Sequence, residues 1–249
     1  EMRLRNYAET DPATGRPFSS KALRECYASG AERFGWAGRP LKPRQMRDQA
    51  GSLVGWGMGS ALFPNPMFQA KARATLRSDG TALVETSGAD MGQGAWTALA
   101  QIAADGLGLD IDKVEFRSGT SDLPDGGMAG GSGHTATAGV ALHNAGADAI
   151  ARLAELATND PASPLFGAGN AGVEAREGRL HHRGDPTRSE SYAEIMARAG
   201  IATLEGNGTG ARPPADAEAR AMFSHGAVFA EVKVDPDLGQ CRVTRMVGA

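Results

Sequence analysis

Two short runs carry the residue types from which a binding site can be built: Gly92-Gln93-Gly94 and Gly131-Ser132-Gly133-His134-Thr135. Gln93 has an amide that both donates and accepts, and its glycine neighbours keep other side chains clear of it. Ser132 and Thr135 offer hydroxyls, and His134 donates from whichever ring nitrogen its tautomer protonates. Each run stands where a glycine-rich loop enters a helix-patterned segment. Residues 88–94 lead into Trp96, Leu99, Ala103 and Leu107, and residues 126–133 lead into Val140, Leu142, Ala145, Ala149 and Leu153. The first turn of a helix leaves backbone N–H groups unpaired at the positive end of the dipole, so each junction is a potential anion site. Glycines ahead of it let the backbone approach a ligand. Taken alone, each loop reads as an ordinary connection, with Gln93 closing it or Ser132 or Thr135 capping a helix. Joined through the predicted strand Val114–Arg117, the two read as one site for a phosphate-bearing cofactor.

Other chemistries fit the residues less well. The chain has no GxxxxGKS or GxxxxGKT phosphate loop. Gly92-Gln93-Gly94 lacks the third glycine of a dinucleotide GxGxxG, although a nucleotide held at the same helix starts stays an alternative. Gly130-Gly131-Ser132-Gly133-His134 falls one residue short of the GxSxG nucleophile elbow, because His134 replaces the last glycine. His181 and His182 are adjacent, and neighbouring side chains on a strand face opposite ways, so no metal site is assigned to them. Cys26 and Cys241 lack CxxC spacing and read as reduced thiols without zinc or an iron–sulfur cluster.

The elements that must position the two loops point to an α/β (α+β mixed) fold, a mixed sheet with packed helices. Residues 1–50 read as an N-terminal helical segment and connector, and 51–249 as an α/β domain that is incomplete at its C-terminus. In the first segment Ser19 or Ser20 caps a helix with Leu23, Tyr27 and Ala31 on one face. The run 51–59 reads as a strand whose glycines admit another backbone, with Trp56 and Met58 in the core. Ser78-Asp79-Gly80 turns the run 71–77 into 81–86 as a hairpin, which delivers the chain to Gly88. Further on, 173–175 and 179–182 form a small hairpin about Glu177-Gly178. Ser189 caps the helix SYAEIMARAG, which Gly200 ends, and 201–204 follows as a strand. Residues 207–214 read as a loop or linker and 215–220 as a disordered stretch. Strands at 227–234 and 242–247 flank the Asp235–Gly239 turn, with Val228, Ala230, Val232 and Val234 on the buried face.

With 249 residues the chain is long enough for one sizeable core. A net charge of −3, with Lys and Arg scattered, gives no bulk electrostatic sign of nucleic acid or another polyanion as a partner. No apolar run reaches the roughly 20 residues of a membrane-spanning helix, and no signal peptide is visible. The chain opens in a helix-like, charged stretch and stops just as a strand pattern finishes, so a part of a longer polypeptide is expected.

The order MGQGAWTALAQIAADGLG, then VEFRSGTSDLPDGGMAGGSGHTATAGVAL, resembles the molybdenum-cofactor-binding large subunit of the xanthine dehydrogenase/aldehyde oxidase family, most of all its bacterial aldehyde-oxidising branch. The resemblance extends from RLRNYAETDPATGRPFSSKALRECYASGAERFGW to GAVFAEVKVDPDLGQCRVTRMVGA. It implies that the α/β domain is part of a molybdopterin-binding domain and that the complete protein hydroxylates aldehydes or N-heterocycles with water. The implied cofactor is molybdenum–molybdopterin cytosine dinucleotide, held by Gly92, Gln93, Gly94, Gly131, Ser132, Gly133, His134 and Thr135. Iron–sulfur clusters and FAD are implied on partner subunits, alongside the remainder of the large subunit and a small aldehyde or heteroaromatic substrate. The implied compartment is cytoplasmic, or periplasmic as part of an exported complex. His134 departs from the serine common in that loop. The family's GE-containing glutamate motif and its GGGFGG-like and FRGFG-like loops are missing here, so no catalytic residue is assigned and the chain alone is expected to be inactive. The alternative is a non-catalytic fragment or assembly module with exposed apolar patches, or a phosphate- or nucleotide-binding protein without molybdenum.

Overall fold

The Ser78-Asp79-Gly80 turn seeds the main sheet. Asp79 Oδ1 accepts from the Thr81 N–H at 2.9 Å and from its hydroxyl at 2.6 Å, and Gly80 takes φ 83°. Strands β2 (Ala70–Arg77) and β3 (Ala82–Glu85) then pair antiparallel. The computed structural model describes residues 1–211 and 219–249, and by compactness the chain divides into Pro66–Pro213 and a second unit of Glu1–Asn65 with Pro214–Ala249. This division differs from the segments 1–50 and 51–249 expected from sequence. Strand β1 (Leu53–Pro64) pairs along its whole length with β9 (Phe223–Val234), which ties the beginning of the chain to its last strands.

In the unit Pro66–Pro213, helix α3 (Ala95–Leu107) crosses from β3 to β4 (Val114–Arg117), which pairs parallel to it. Strand β8 (Thr203–Gly210) pairs antiparallel on the other side of β2, giving the order β4-β3-β2-β8 and a mixed sheet. Ala72, Ala74, Leu76, Ala82 and Val84 are buried with Leu99, Ala103 and Leu107 of α3 and with Leu142, Ala145, Ala149 and Leu153 of α4 (His134–Asn159). Trp96, expected on the apolar face of α3, is 47% exposed, and Ala95 is buried instead. Val140 is half-buried.

The segment expected to be a loop from Asn207 is a strand as far as Gly210. A Cβ at Gly206, Gly208 or Gly210 would lie 2.3, 2.0 or 2.1 Å from the carbonyl oxygens of Ala145, Ala141 and Thr137. These glycines are therefore where the backbone of α4 rests on the sheet. Asn144 Nδ2 donates to the Thr209 carbonyl at 2.9 Å, and the Asn207 N–H donates to Asp148 Oδ2 at 2.9 Å. The expectation for 215–220 lies, as far as 218, outside the described residues.

A small antiparallel sheet, β5 (Val173–Arg176), β6 (Arg179–His182) and β7 (Asp185–Ser191), follows α4. Its first turn carries Glu177 and Gly178 at φ 54° and 73°. Ser191, not Ser189, caps α5 (Tyr192–Ala199): its hydroxyl accepts from the Glu194 N–H while Glu194 accepts from the Ser191 N–H. Ser189 lies within β7, two residues too early for a cap. Gly200 ends the helix at φ 68°, and the next strand begins at Thr203.

In the second unit, α1 (Met2–Arg5) and α2 (Leu23–Phe34) accompany the antiparallel sheet β1-β9-β10, with β10 at Cys241–Gly248. Neither Ser19 nor Ser20 caps α2; its N-cap is Ala22, with no side-chain bond. The buried face of β9 is Ala227 and Phe229, not the valine set. Phe229 fits against Phe34 and Trp36, and Trp56 packs edge-on against Phe34, so aromatic packing decides which face turns inward. Trp56 and Met58 pack on that core as expected, whereas no atom comes within 4 Å of a Cβ built at Gly57 or Gly59.

Candidate functional site

The first loop leaves β3 and turns at Gly88. Its N–H donates to Ser118 Oγ at 2.9 Å, and the Ser118 hydroxyl donates to its carbonyl at 2.7 Å. Asp90 then accepts from the N–H groups of Gly92 at 2.8 Å and Trp96 at 3.2 Å. Those bonds hold its carboxyl below the usual carboxylate range. The start of α3 thus carries an anion of its own, and the reading of this junction as an open anion site is corrected: the charge is already supplied from within the loop. Gln93 closes the loop, with Oε1 accepting from the Met91 N–H at 2.6 Å and Nε2 donating to the Ala89 carbonyl at 3.1 Å. One lone pair and one N–H of its amide are left over.

The second loop is threaded tightly beside the end of β3. The Gly126 N–H donates to Ser87 Oγ at 3.0 Å, and a Cβ at Gly126 would lie 1.9 Å from the Ser87 carbonyl oxygen. Gly131 and Ser132 both adopt φ 58°. For serine that left-handed conformation costs about 1 kcal/mol, the kind of local strain that accumulates at functional sites. A Cβ at Gly133 would lie 2.6 Å from the Pro66 carbonyl oxygen, so glycine is required there as well. Thr137 fixes the helix entry, donating to the Gly133 carbonyl at 2.7 Å and accepting from the Phe68 N–H at 3.0 Å.

The start of α4 differs from that of α3. Among the described residues no side chain caps it, and its first turn has no acid. Ser132 and Thr135 are exposed. His134 is only 6% exposed, and neither ring nitrogen has a partner among the described residues. Burial pushes its pKa below the usual imidazole value, and the charge of Asp90 works the other way. The ring lies on the first loop: a Cβ at Gly88 would be 2.6 Å from Nε2 and 2.7 Å from Cε1.

The two loops enclose one groove of about 580 Å³. Met91 and Gln93 line it from the first loop, and Ala129 to Ser132, His134 and Thr135 from the second. Of the residues singled out from sequence, Gln93, Gly131, Ser132, His134 and Thr135 meet there. Gly92 and Gly94 do not line the groove; they turn the backbone behind it at φ 99° and 75°. Gly133 is the buried N-cap of α4. Asp90 was missed, although an aspartate two residues before a glycine in such a loop is a turn-forming signal. A mostly apolar hollow of about 450 Å³ in the other unit is lined by Trp36, Met58 and Phe229 together with Glu1, Arg3, Arg24 and Tyr27. Among the described residues no group of three or more His, Cys, Asp or Glu is placed to hold a metal ion, and no helix is long and apolar enough to cross a membrane.

The sequence model of the molybdopterin cofactor-binding domain matches residues 29–249. The chain is 35% identical over 188 residues to the Escherichia coli aldehyde oxidoreductase molybdenum-binding subunit PaoC, covering 73% of this chain and 25% of that protein. It is 33% identical over 128 residues to the E. coli putative xanthine dehydrogenase molybdenum-binding subunit XdhA, 47% of this chain and 16% of the relative. Among solved structures, quinoline 2-oxidoreductase from Pseudomonas putida 86 shares the fold with a TM-score of 0.80 at 23% identity, over 98% of this chain and 32% of that one. The chain thus spans about a quarter of the length of the first of these relatives.

Proposed function

This chain belongs to the molybdopterin cofactor-binding domain family, related to the molybdenum-binding subunits of aldehyde oxidoreductases and xanthine dehydrogenases, and from that premise we propose that the groove between its two glycine loops holds the cofactor. The observation that carries the reading is the contrast between the two helix starts. Asp90 satisfies that of α3, whereas α4 meets the groove with free N–H groups, two exposed hydroxyls and an unpartnered buried imidazole. A pyrophosphate suits the α4 start, with Ser132 and Thr135 donating to it and Gly131 keeping the backbone accessible, while Gly133 seats the helix start against Pro66. The hydrogen-bonding edge of a pterin suits the remaining donor and acceptor of Gln93. Gly92 and Gly94 hold Gln93 in place. With no side-chain ligand set for a metal here, these residues would hold the organic part of the cofactor.

When bound, the cofactor supplies the redox chemistry for hydroxylating an aldehyde or N-heterocycle with oxygen from water; this chain contributes binding and orientation. We further propose the cytosine dinucleotide form of the cofactor, iron–sulfur clusters and FAD on partner subunits, the remainder of the large subunit as another partner, and a cytoplasmic or exported setting. The naming of related proteins as molybdenum-binding subunits, and of another as a dehydrogenase complex subunit gamma, supports a multi-subunit setting. The test is metal analysis and mass spectrometry of the natively matured protein. Molybdenum with a pterin–cytosine dinucleotide is expected. An adenine nucleotide without molybdenum would replace this reading with nucleotide binding, and neither species would leave an assembly module.

A further inference from the structure

We propose that His134 is a proton-linked positioning residue of the groove: it is neutral when the groove is empty and takes up a proton when an anionic ligand occupies the start of α4. The proposal rests on the reading of the groove as the seat of a pyrophosphate-bearing cofactor.

Other buried polar side chains among the described residues are paired. Glu85 is met by Arg73 at 2.7 Å and Arg117 at 3.2 Å, and the Ser163 hydroxyl donates to Glu190 at 2.7 Å. Among the described residues, the buried side-chain nitrogens and oxygens without a partner are all histidine nitrogens, and only His134 among those histidines falls in the buried class. A neutral imidazole brings one donor and one acceptor, and leaving both unmet is costly. A cation in that position would lose still more, because burial penalises the charged form. The ring cannot swing towards the first loop, since Gly88 already touches it.

The charged groups around the ring are few. The first loop contributes Asp90, whose oxygens are engaged by the N–H groups of Gly92 and Trp96. Ser118, beyond β4, is uncharged and bonded to Gly88. Residues 126–133, the first two turns of α4 (134–141) and the first turn of α3 (95–98) contain no charged side chain. Asp125, just before the second loop, accepts from the Gly127 N–H at 3.0 Å. An empty groove therefore sets only the field of Asp90 against the loss of hydration. A pyrophosphate at the α4 start adds multiple negative charge within a turn of the ring and reverses that balance. The proton comes from buffer and goes to the ring nitrogen left bare in the neutral tautomer.

The experiment uses the full chain labelled with ¹³C-histidine; five histidines give a tractable spectrum, and His134→Gln assigns the resonance. Each histidine is titrated with and without inorganic pyrophosphate, while ³¹P line broadening reports binding separately. The expected result is a rise of at least about one pH unit in the His134 midpoint, tenfold in proton affinity, with the other four unmoved. Pyrophosphate affinity should also rise on going from about pH 8 to 6 by a larger factor in the wild type than in His134→Gln, a comparison that removes the titration of pyrophosphate itself. Bound pyrophosphate with an unmoved His134 midpoint overturns the proton linkage and leaves the groove assignment standing. Absence of any ³¹P effect overturns the pyrophosphate subsite and the linkage with it.

Discussion

Gly208→Ala tests the packing that holds the α4 start in place. The new Cβ would lie 2.0 Å from the Ala141 carbonyl oxygen and 2.3 Å from the Ala145 nitrogen, both backbone atoms of α4. Reaching 3.0 Å, below which real Cβ contacts essentially do not occur, requires helix and strand to part by about 1 Å. The helix has no easy retreat, because Gly206 and Gly210 seat it equally closely on either side. Overpacking of this kind costs about 3 kcal/mol, at the upper end of the usual range, because no side-chain rotation relieves it. Gly208 is not in the left-handed region, so alanine gains about 0.5–1 kcal/mol by restricting the unfolded chain. The net loss is about 2 kcal/mol, which for a domain of this size lowers the melting temperature by about 4–8 °C. Differential scanning calorimetry of Gly208→Ala against Gly57→Ala supplies the assay, since Gly57 faces open space and should change little. An unchanged or raised melting temperature for Gly208→Ala would refute the account of β8 as the bed of α4.

Three further outcomes follow from the site. Gly88→Ala drives a methyl into the His134 ring, so it should destabilise the protein by about 1–3 kcal/mol, and Gly88→Ala/His134→Ala should recover most of the loss in a double-mutant thermal cycle. Asp90→Ala removes the acceptor at the α3 start; because the carboxyl is depressed in the fold, its contribution is present above the ordinary aspartate range and lost as pH falls through the folded value. The melting-temperature gap between wild type and Asp90→Ala should therefore be full at pH 7 and close in strong acid. For His134 the folded imidazole is also depressed, so the ligand-free wild type should lose stability as pH falls below about 6.5, more steeply than His134→Gln in parallel denaturant titrations.

Much of the scaffold can be read from local patterns because local chemistry determines it. The Asp79-Gly80 hairpin, the helical spacing of Leu99, Ala103 and Leu107, and the Glu177-Gly178 turn need nothing distant to be recognised. Strand β8 was hidden because Glu205-Gly206-Asn207-Gly208-Thr209-Gly210 has loop composition. Its glycines make sense only beside Ala141, Ala145 and Ala149, some 60 residues earlier in the chain. The inward face of β9 was likewise set by Phe34, Trp36 and Trp56 rather than by the alternation of its own valines. At the site, residue types and spacing bring Gln93 and the run 131–135 into view. They do not reveal that Asp90 has taken one of the two helix starts, because that depends on how the first loop folds back on itself.

The most direct test of the groove as a cofactor site is the molybdenum and pterin content of natively matured Ser132→Ala/Thr135→Ala, measured beside the thermal stability of the cofactor-free protein. Both hydroxyls are exposed and neither caps α4, so their loss should leave the cofactor-free melting temperature near that of the wild type. The account predicts that unchanged stability together with a clear fall in molybdenum and pterin occupancy. Full occupancy in the double variant would contradict it.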